Sequence, residues 1–141
     1  MQAMNKRYFT VNETNNLVPA LELSFRRIMQ MHTHVREAWQ RLDDIDCAPD
    51  TEDFEIDADT PSEALDDLAT LRTLFDALHE EIETVQTTGC TIKRLDIGLV
   101  DWYAQRNGED VFLCWQLGEK QVAFWHGIDA GFSGRRPISE F

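Results

Sequence analysis

Three side chains in the C-terminal half of the chain could together carry out acid–base chemistry. His126 follows Trp125 at the end of a predicted strand, and Asp129 comes shortly after it. Asp101 lies on an earlier predicted strand. Because a histidine oriented by a carboxylate can act as a general base or a metal ligand, these are candidate catalytic residues of an acid–base or metal-assisted hydrolase. The simpler interpretation, which we favour, is that His126 lies at the edge of the core and hydrogen-bonds to the backbone.

Two adjacent arginines follow a glycine-rich turn near the end of the chain. Arg135 and Arg136 come directly after Gly131-Phe-Ser-Gly134. Such a turn can expose backbone N–H groups to an anion, and an arginine can bind a carboxylate or phosphate through two hydrogen bonds. The predicted ligand-binding residues for a small anion or an acidic peptide are Arg135, Arg136, Trp125, His126 and Gly134. The alternative is that one arginine pairs with the acidic loop or a helix end of the chain itself.

The cysteines indicate neither a disulfide framework nor a structural zinc site, because Cys47, Cys90 and Cys114 include no C-x-x-C pair. Cys114 would need an adjacent base to act as a nucleophile. The predicted strand alignment puts His126 on the opposite face of the sheet and Asp101 beside Cys114, where a carboxylate raises the pKa of a thiol. We therefore predict that Cys114 is a small buried side chain, and we predict no metal site and no cofactor.

The composition limits the partners of the protein. The 141 residues include 13 basic and 26 acidic ones, which gives a formal net charge of −13. Because this surface repels phosphate backbones and anionic lipids, we expect neither nucleic acid nor a membrane as partner. The length predicts a single domain over residues 1–141. With no long apolar run and no secretion signal, we expect a cytoplasmic protein.

Two amphipathic helices must support these side chains. Helix 1 is predicted over residues 9–44, starting at a capping box of Thr10 and Glu13, and helix 2 over residues 60–88. An acidic loop, residues 45–59, joins them. Apolar residues recur every three or four positions in both helices, which predicts an antiparallel helical hairpin. Because further apolar residues flank these stripes, we expect a homodimer that forms through the helices.

After Gly89 the apolar period falls to about two residues, which is typical of strands. The predicted three-stranded antiparallel meander occupies residues 95–127, with strands Leu99–Arg106, Asp110–Gln116 and Gln121–His126, and a Gly/Arg tail follows at 128–141. Asn107-Gly108 and Gly118-Glu119 are the predicted turns. They align Trp102 with Leu113 and Phe124, and Ala104 with Val111 and His126. One face is then almost entirely apolar and should meet the helices, whereas the other, which includes Asp101, Cys114 and Trp125, could form a pocket wall.

Several short motifs, spread over most of the chain, together form a pattern that can be compared with known families. They are Phe9-Thr10, Gly98-Leu-Val-Asp101, Arg106-Asn-Gly108, Leu113-Cys-Trp115, Gly118-Glu119, Trp125-His126 and Asp129-Ala-Gly-Phe-Ser-Gly-Arg135. In these motifs the chain resembles the bacterial family catalogued as domain of unknown function 2203, over nearly its whole length. Because no activity is assigned to that family, the resemblance supports the predicted layout and implies no mechanism.

The sequence thus predicts an α+β fold in which a long antiparallel helical hairpin packs against a small three-stranded antiparallel meander. The first functional hypothesis is a non-catalytic binding or assembly module with a small-anion or acidic-peptide site near the C-terminal loop. The second is the hydrolase, and the third is a structural coiled-coil adaptor. Since no nucleophile–base pair or complete ligand set has a recognisable spacing, the sequence favours a protein that is not an enzyme.

Overall fold

The computed structural model describes residues 6–141, which form two long helices and one antiparallel sheet. The helices are α1 (Val11–Asp44) and α2 (Leu65–Thr87). The strands pair in chain order and are β1 (Thr91–Arg94), β2 (Leu99–Arg106), β3 (Glu109–Gln116), β4 (Phe124–Gly127) and β5 (Arg136–Pro137). The predicted α+β class is confirmed. No helix in this described range is both long and apolar enough to cross a lipid bilayer.

The sheet has five strands, so the prediction of three is wrong in number. The two additional strands are the edge strands: β1 has four residues, and β5 has two and includes Pro137. Strands this short show no measurable alternation of apolar and polar residues, which is why the sequence pattern does not reveal them. Because β5 pairs with β4, the middle of the predicted tail 128–141 is part of the sheet.

Both helices agree with the predicted positions to within a few residues. The backbone N–H of Thr10 donates to Glu13 Oε1 at 2.8 Å, and the backbone N–H of Glu13 donates to Thr10 Oγ1 at 3.1 Å. This reciprocal capping box places the first helical residue at Val11 rather than at residue 9. The second predicted helix, 60–88, starts with a 3₁₀ turn at Ser62–Ala64 and continues as α2.

The chain divides into two compact units. The first combines the described residues up to Phe25 with Thr84–Phe141 and contains the sheet, and the second is Arg26–Glu83. The assignment of the whole chain to one domain stays a prediction, and residues 1–5 lie outside the described range.

Within the second unit, two helical segments run antiparallel around a small apolar core. Arg27 pairs with Glu81 at 3.0 Å near one end, and Arg41 pairs with Asp67 at 2.9 Å near the other. The buried residues of this core are Ala38, Leu42, Ala64, Leu68 and Leu71. The predicted antiparallel hairpin is therefore present in this unit.

The alignment of β2 with β3 is as predicted from the Asn107-Gly108 turn. Trp102 pairs with Leu113, and Ala104 pairs with Val111. Asn107 and Gly108 both have positive φ, 54° and 81°, which the type I′ turn requires. Asp101 accordingly lies opposite Cys114.

The predicted alignment of β3 with β4 is wrong by one residue. Leu113 pairs with Trp125 rather than Phe124, and Phe112 rather than Val111 pairs with His126. Because side chains alternate along a strand, this shift exchanges the faces of the sheet for every residue of β4. His126 therefore lies on the same face as Asp101 and Cys114, and Trp125 lies on the opposite face.

The connection between β3 and β4 explains the shift. Trp115 Nε1 donates to the carbonyl oxygen of Glu119 at 3.0 Å, and the Glu119 carboxylate accepts the backbone N–H of Gln116 at 2.7 Å. Further along, the backbone N–H of Val122 donates to Asn15 Oδ1 at 2.6 Å. The predicted strand Gln121–His126 begins only at Phe124, and the backbone donor of its second residue, Val122, is bound outside the sheet.

The apolar face of the sheet forms the core of the first unit. Its buried residues are Val100, Trp102, Ala104, Val111, Leu113, Trp115 and Trp125. The ring centroids of Phe25 and Trp115 lie 6.2 Å apart, and those of Phe9 and Trp102 lie 6.4 Å apart. Each large side chain buried here stabilises the fold by about 1.5–3 kcal/mol. This packing fixes which residues the opposite face presents.

Candidate functional site

The opposite face of the sheet carries a cluster of three buried polar side chains, Asp101, Cys114 and His126. They come from three adjacent strands, β2, β3 and β4, and each is at most 3% exposed. The carboxylate, sulfur and imidazole atoms of the cluster all lie within 4.8 Å of one another. The chain therefore brings together three side chains of metal-ligand type that are far apart in sequence.

His126 is held between a carboxylate and a backbone carbonyl. Its Nε2 lies 3.0 Å from Asp101 Oδ2, and its Nδ1 lies 2.8 Å from the carbonyl oxygen of Gly127. Since a carbonyl oxygen only accepts hydrogen bonds, the network assigns a proton to Nδ1. The hydrogen bond with Asp101 raises the pKa of His126 against the opposing effect of burial.

The carboxylate of Asp101 is incompletely satisfied. Its Oδ2 contacts His126, whereas its Oδ1 is buried and has no hydrogen-bond partner among the described residues. A buried carboxylate oxygen without a partner is uncommon because its desolvation is costly. The side chain of Cys114 also interacts with this carboxylate, so Asp101 is the member of the cluster that contacts both of the others.

Cys114 is a protonated thiol in this environment. Burial raises the pKa of the thiol to about 12, and the negative charge of Asp101 acts in the same direction. A thiol with such a pKa is not a nucleophile at neutral pH, as the sequence predicts. A bound metal cation would reverse this, because coordination stabilises the thiolate.

A cavity of about 200 Å³ adjoins the cluster. Its lining comprises Asp101, Cys114, His126, Lys93, Leu99, Phe112, Ile128, Gly131 and Phe132. The last three residues belong to the loop after β4. In this loop Gly131 has φ of +65°, and the backbone N–H of Gly134 donates to the carbonyl oxygen of Gly131. The space is large enough for a small ligand beside the three polar groups.

The predicted anion-binding arginine is already paired. Both carboxylate oxygens of Glu119 lie 2.8 Å from Arg135, and the side chain of Arg135 is only 11% exposed. Its guanidinium also lies over the rings of Phe124 and Phe132, 4.1 and 4.7 Å from their centroids. Arg135 thus has an acidic partner within the chain, although this partner belongs to the β3–β4 connection rather than to the acidic loop or a helix end.

The other predicted site residues do not join the cluster. Arg136 is exposed and lies 3.4 Å from Glu140, and Trp125 is buried on the apolar face. A side chain at Gly134 would meet the Cβ of Ala130 at 2.5 Å, so this glycine is required for close packing of its turn. Asp129 is exposed and is not part of the cavity lining. Among the described residues, the structure brings the acid–base candidates His126 and Asp101 together in the cluster. It also brings two predicted ligand-binding residues together, since the guanidinium of Arg136 lies 5.3 Å from the centroid of the Trp125 ring.

A second cavity, of about 420 Å³, lies in the Arg26–Glu83 unit. Its polar residues are exposed and bind one another: His79 Nε2 lies 2.6 Å from Glu52, and Arg72 donates to the carbonyl oxygen of Phe54. Because the polar side chains of this cavity are exposed to solvent rather than buried, they do not form a comparable site.

The fold and the cluster define a class: an α+β protein with two long helices, a five-stranded antiparallel sheet and a buried Asp–Cys–His cluster on one face of that sheet. Residues 7–138 match the model of the family described as "Uncharacterized conserved protein (DUF2203)", and the chain belongs to this family. No curated protein and no solved structure matches the chain.

Proposed function

We propose that this protein is a metal-binding module that holds one divalent transition-metal ion through Asp101, Cys114 and His126. Zinc is the first candidate, since thiolate, imidazole and carboxylate are its common ligands in proteins. The observation that carries the proposal is the convergence of these three buried donors to within 4.8 Å. Zinc–ligand distances of about 2.0–2.3 Å place neighbouring ligand atoms roughly 3.3–3.8 Å apart. A separation at the 4.8 Å limit would contract by about 1 Å, whereas the 3.0 Å between His126 Nε2 and Asp101 Oδ2 would lengthen slightly.

The orientation of His126 supports this function. Metal-bound histidines usually donate their other ring N–H to a backbone carbonyl or a carboxylate, which fixes the tautomer. The Nδ1–H of His126 has such a partner in the Gly127 carbonyl, so that Nε2 faces the other two donors. Binding would replace the hydrogen bond between Nε2 and Asp101 by two metal–ligand bonds.

The charges of the cluster also support a divalent cation. An ionised Asp101 and an ionised Cys114 would place two negative charges in a buried space, which is unfavourable without compensation. In the metal-free protein, protons supply the compensation: the pKa of Cys114 is about 12 and that of His126 is raised. A divalent ion replaces these protons and also gives Asp101 Oδ1 a possible partner.

Three protein ligands would leave a fourth position of a tetrahedral ion for water or another ligand, and the cavity that all three residues line offers space for one. This arrangement favours, as a second candidate function, the metal-assisted hydrolase. In that case His126 and Asp101 would be ligands rather than acid–base groups, and the exposed Asp129 would take no part.

Cobalt binding tests the proposal. We expect the chelator-treated protein to bind one equivalent of Co²⁺ and to show a thiolate-to-cobalt charge-transfer absorption. Cys114→Ser should lose this absorption, whereas Cys90→Ser should keep it, because Cys90 is also a buried cysteine of the same unit but lies outside the cluster. His126→Gln should weaken Co²⁺ binding by roughly 100-fold or more.

The opposite result would reject a metal centre at this position. Absence of the charge-transfer absorption in the parent protein, or its loss in Cys90→Ser but not in Cys114→Ser, contradicts the proposal. Far-ultraviolet circular dichroism of each variant separates loss of a ligand from loss of the fold.

A further inference from the structure

Lys93 reaches the cavity because of an irregularity in β1. Ile92 pairs with Val100 and Arg94 pairs with Leu99, so Lys93 is an extra residue in the strand pairing. A bulge of this kind redirects the side chain of the inserted residue. The ammonium of Lys93 lies 5.1 Å from the centroid of the Phe112 ring, and both residues line the cavity.

Lys93 also differs from two other cations of this unit, Arg94 and Arg135, in having no acidic partner. Its neighbour Arg94 pairs with Asp96 at 2.6 Å, and Arg135 pairs with Glu119 at 2.8 Å. Among residues 6–141, no ion pair joins Lys93 to a carboxylate, although the chain carries a formal net charge of −13. The cation beside the cavity is therefore available to a ligand.

The charge of the loaded site follows from these residues. A divalent ion neutralises one carboxylate and one thiolate, those of Asp101 and Cys114, and His126 is neutral when it acts as a ligand. Once the ammonium of Lys93 is included, the net charge of the loaded site is +1. A site with this charge is complementary to a ligand with one negative charge.

The walls of the cavity limit the ligand further. Beyond the three cluster residues and Lys93, the lining side chains are Leu99, Phe112, Ile128 and Phe132, all apolar. A phosphate is strongly hydrated on all its oxygens and would lose most of that hydration against such walls. A carboxylate with a short apolar group presents a charged end to the metal and Lys93 and an apolar end to the walls.

We infer that the cavity binds a small monocarboxylate, one oxygen of which takes the open metal position while the other pairs with the ammonium of Lys93. This inference rests on the proposed metal centre and identifies the class of ligand that the centre takes. It transfers the predicted anion site from Arg135, which is paired with Glu119, to Lys93.

The test uses the full chain loaded with Co²⁺, whose visible absorption responds to a change of its fourth ligand. We would titrate isobutyrate as the probe, isobutyramide as the uncharged control of the same shape, and inorganic phosphate as the competing anion. Isobutyrate should shift the cobalt absorption, and the other two should bind at least about ten-fold more weakly. Lys93→Gln should weaken isobutyrate binding by roughly 10- to 100-fold.

Arg94→Gln is the matched control variant. It removes a positive charge from the adjacent residue, which does not line the cavity, and should leave isobutyrate binding unchanged. Three results overturn the inference while the metal centre stands: no response to isobutyrate, equal weakening in both variants, or tighter binding of phosphate. Failure to bind Co²⁺ at all would instead overturn the proposed function, and this inference with it.

Discussion

Asp101 influences both other members of the cluster in the metal-free protein. Its hydrogen bond is the main cause of the raised pKa of His126, and its charge adds to the effect of burial on the pKa of Cys114. Its position opposite Cys114 in the strand pairing and 3.0 Å from His126 makes it the shared neighbour of the two. A change at this residue should therefore be measurable at the other two without any metal.

We predict that Asp101→Asn lowers the pKa of His126 in the metal-free protein. The raised pKa depends first on the hydrogen bond from a protonated ring to an ionised carboxylate, and an amide supports the protonated ring less well. A titration of the His126 ring signals by NMR measures the change. Asp129→Asn removes the same charge from an exposed residue outside the cavity and should leave this pKa as it is. Equal pKa values of His126 in Asp101→Asn and the parent protein would contradict the assigned pair.

The strands and their connections determine which side chains meet, and the sequence predicts these unequally well. The capping box of Thr10 and Glu13 and the Asn107-Gly108 turn are local features, and both are observed as predicted. The Asp101–Cys114 pair follows directly from that turn. For this part of the site, the local sequence is enough to predict which residues of β2 and β3 lie opposite each other.

The position of His126 could not be predicted in the same way. The β3–β4 connection is shaped by the carboxylate of Glu119 and by Asn15, which is more than 100 positions away from its partner Val122. Such a side-chain contact leaves no periodic signal in the sequence. An error of one residue put His126 on the wrong face and so concealed its proximity to Asp101 and Cys114.

The Arg135–Glu119 pair gives a prediction about the same connection. Because Arg135 is largely buried and Glu119 is about one quarter exposed, Arg135→Ala should lower the free energy of unfolding by about 1–3 kcal/mol. The variant should still bind one equivalent of Co²⁺, because Arg135 contributes no ligand atom to the proposed centre. Urea denaturation and the cobalt titration measure the two effects, and Arg136→Ala, which removes an exposed arginine, should change neither. Loss of Co²⁺ binding in a folded Arg135→Ala protein would contradict this prediction.

At the scale of the whole molecule, self-association through the helices stays a prediction. Leu65 begins α2 and is 39% exposed, and Trp39 on α1 is similarly exposed. Apolar side chains of this kind on a helical surface are suited to an interface. We expect a dimer in sedimentation velocity, and we expect Leu65→Lys to shift it towards the monomer. Asp66→Asn makes the same change in charge at the next residue and should not, whereas a monomeric parent protein would contradict the expectation.

The central claim is that one sulfur, from Cys114, binds the metal together with His126 and Asp101. X-ray absorption spectroscopy of the zinc-loaded full chain tests it most directly, because the metal–ligand distances identify the ligand atoms. We predict one sulfur at about 2.3 Å and nitrogen or oxygen atoms at about 2.0–2.2 Å, with the sulfur absent in Cys114→Ser. A zinc environment without sulfur in the parent protein, or an unchanged environment in Cys114→Ser, would contradict the account.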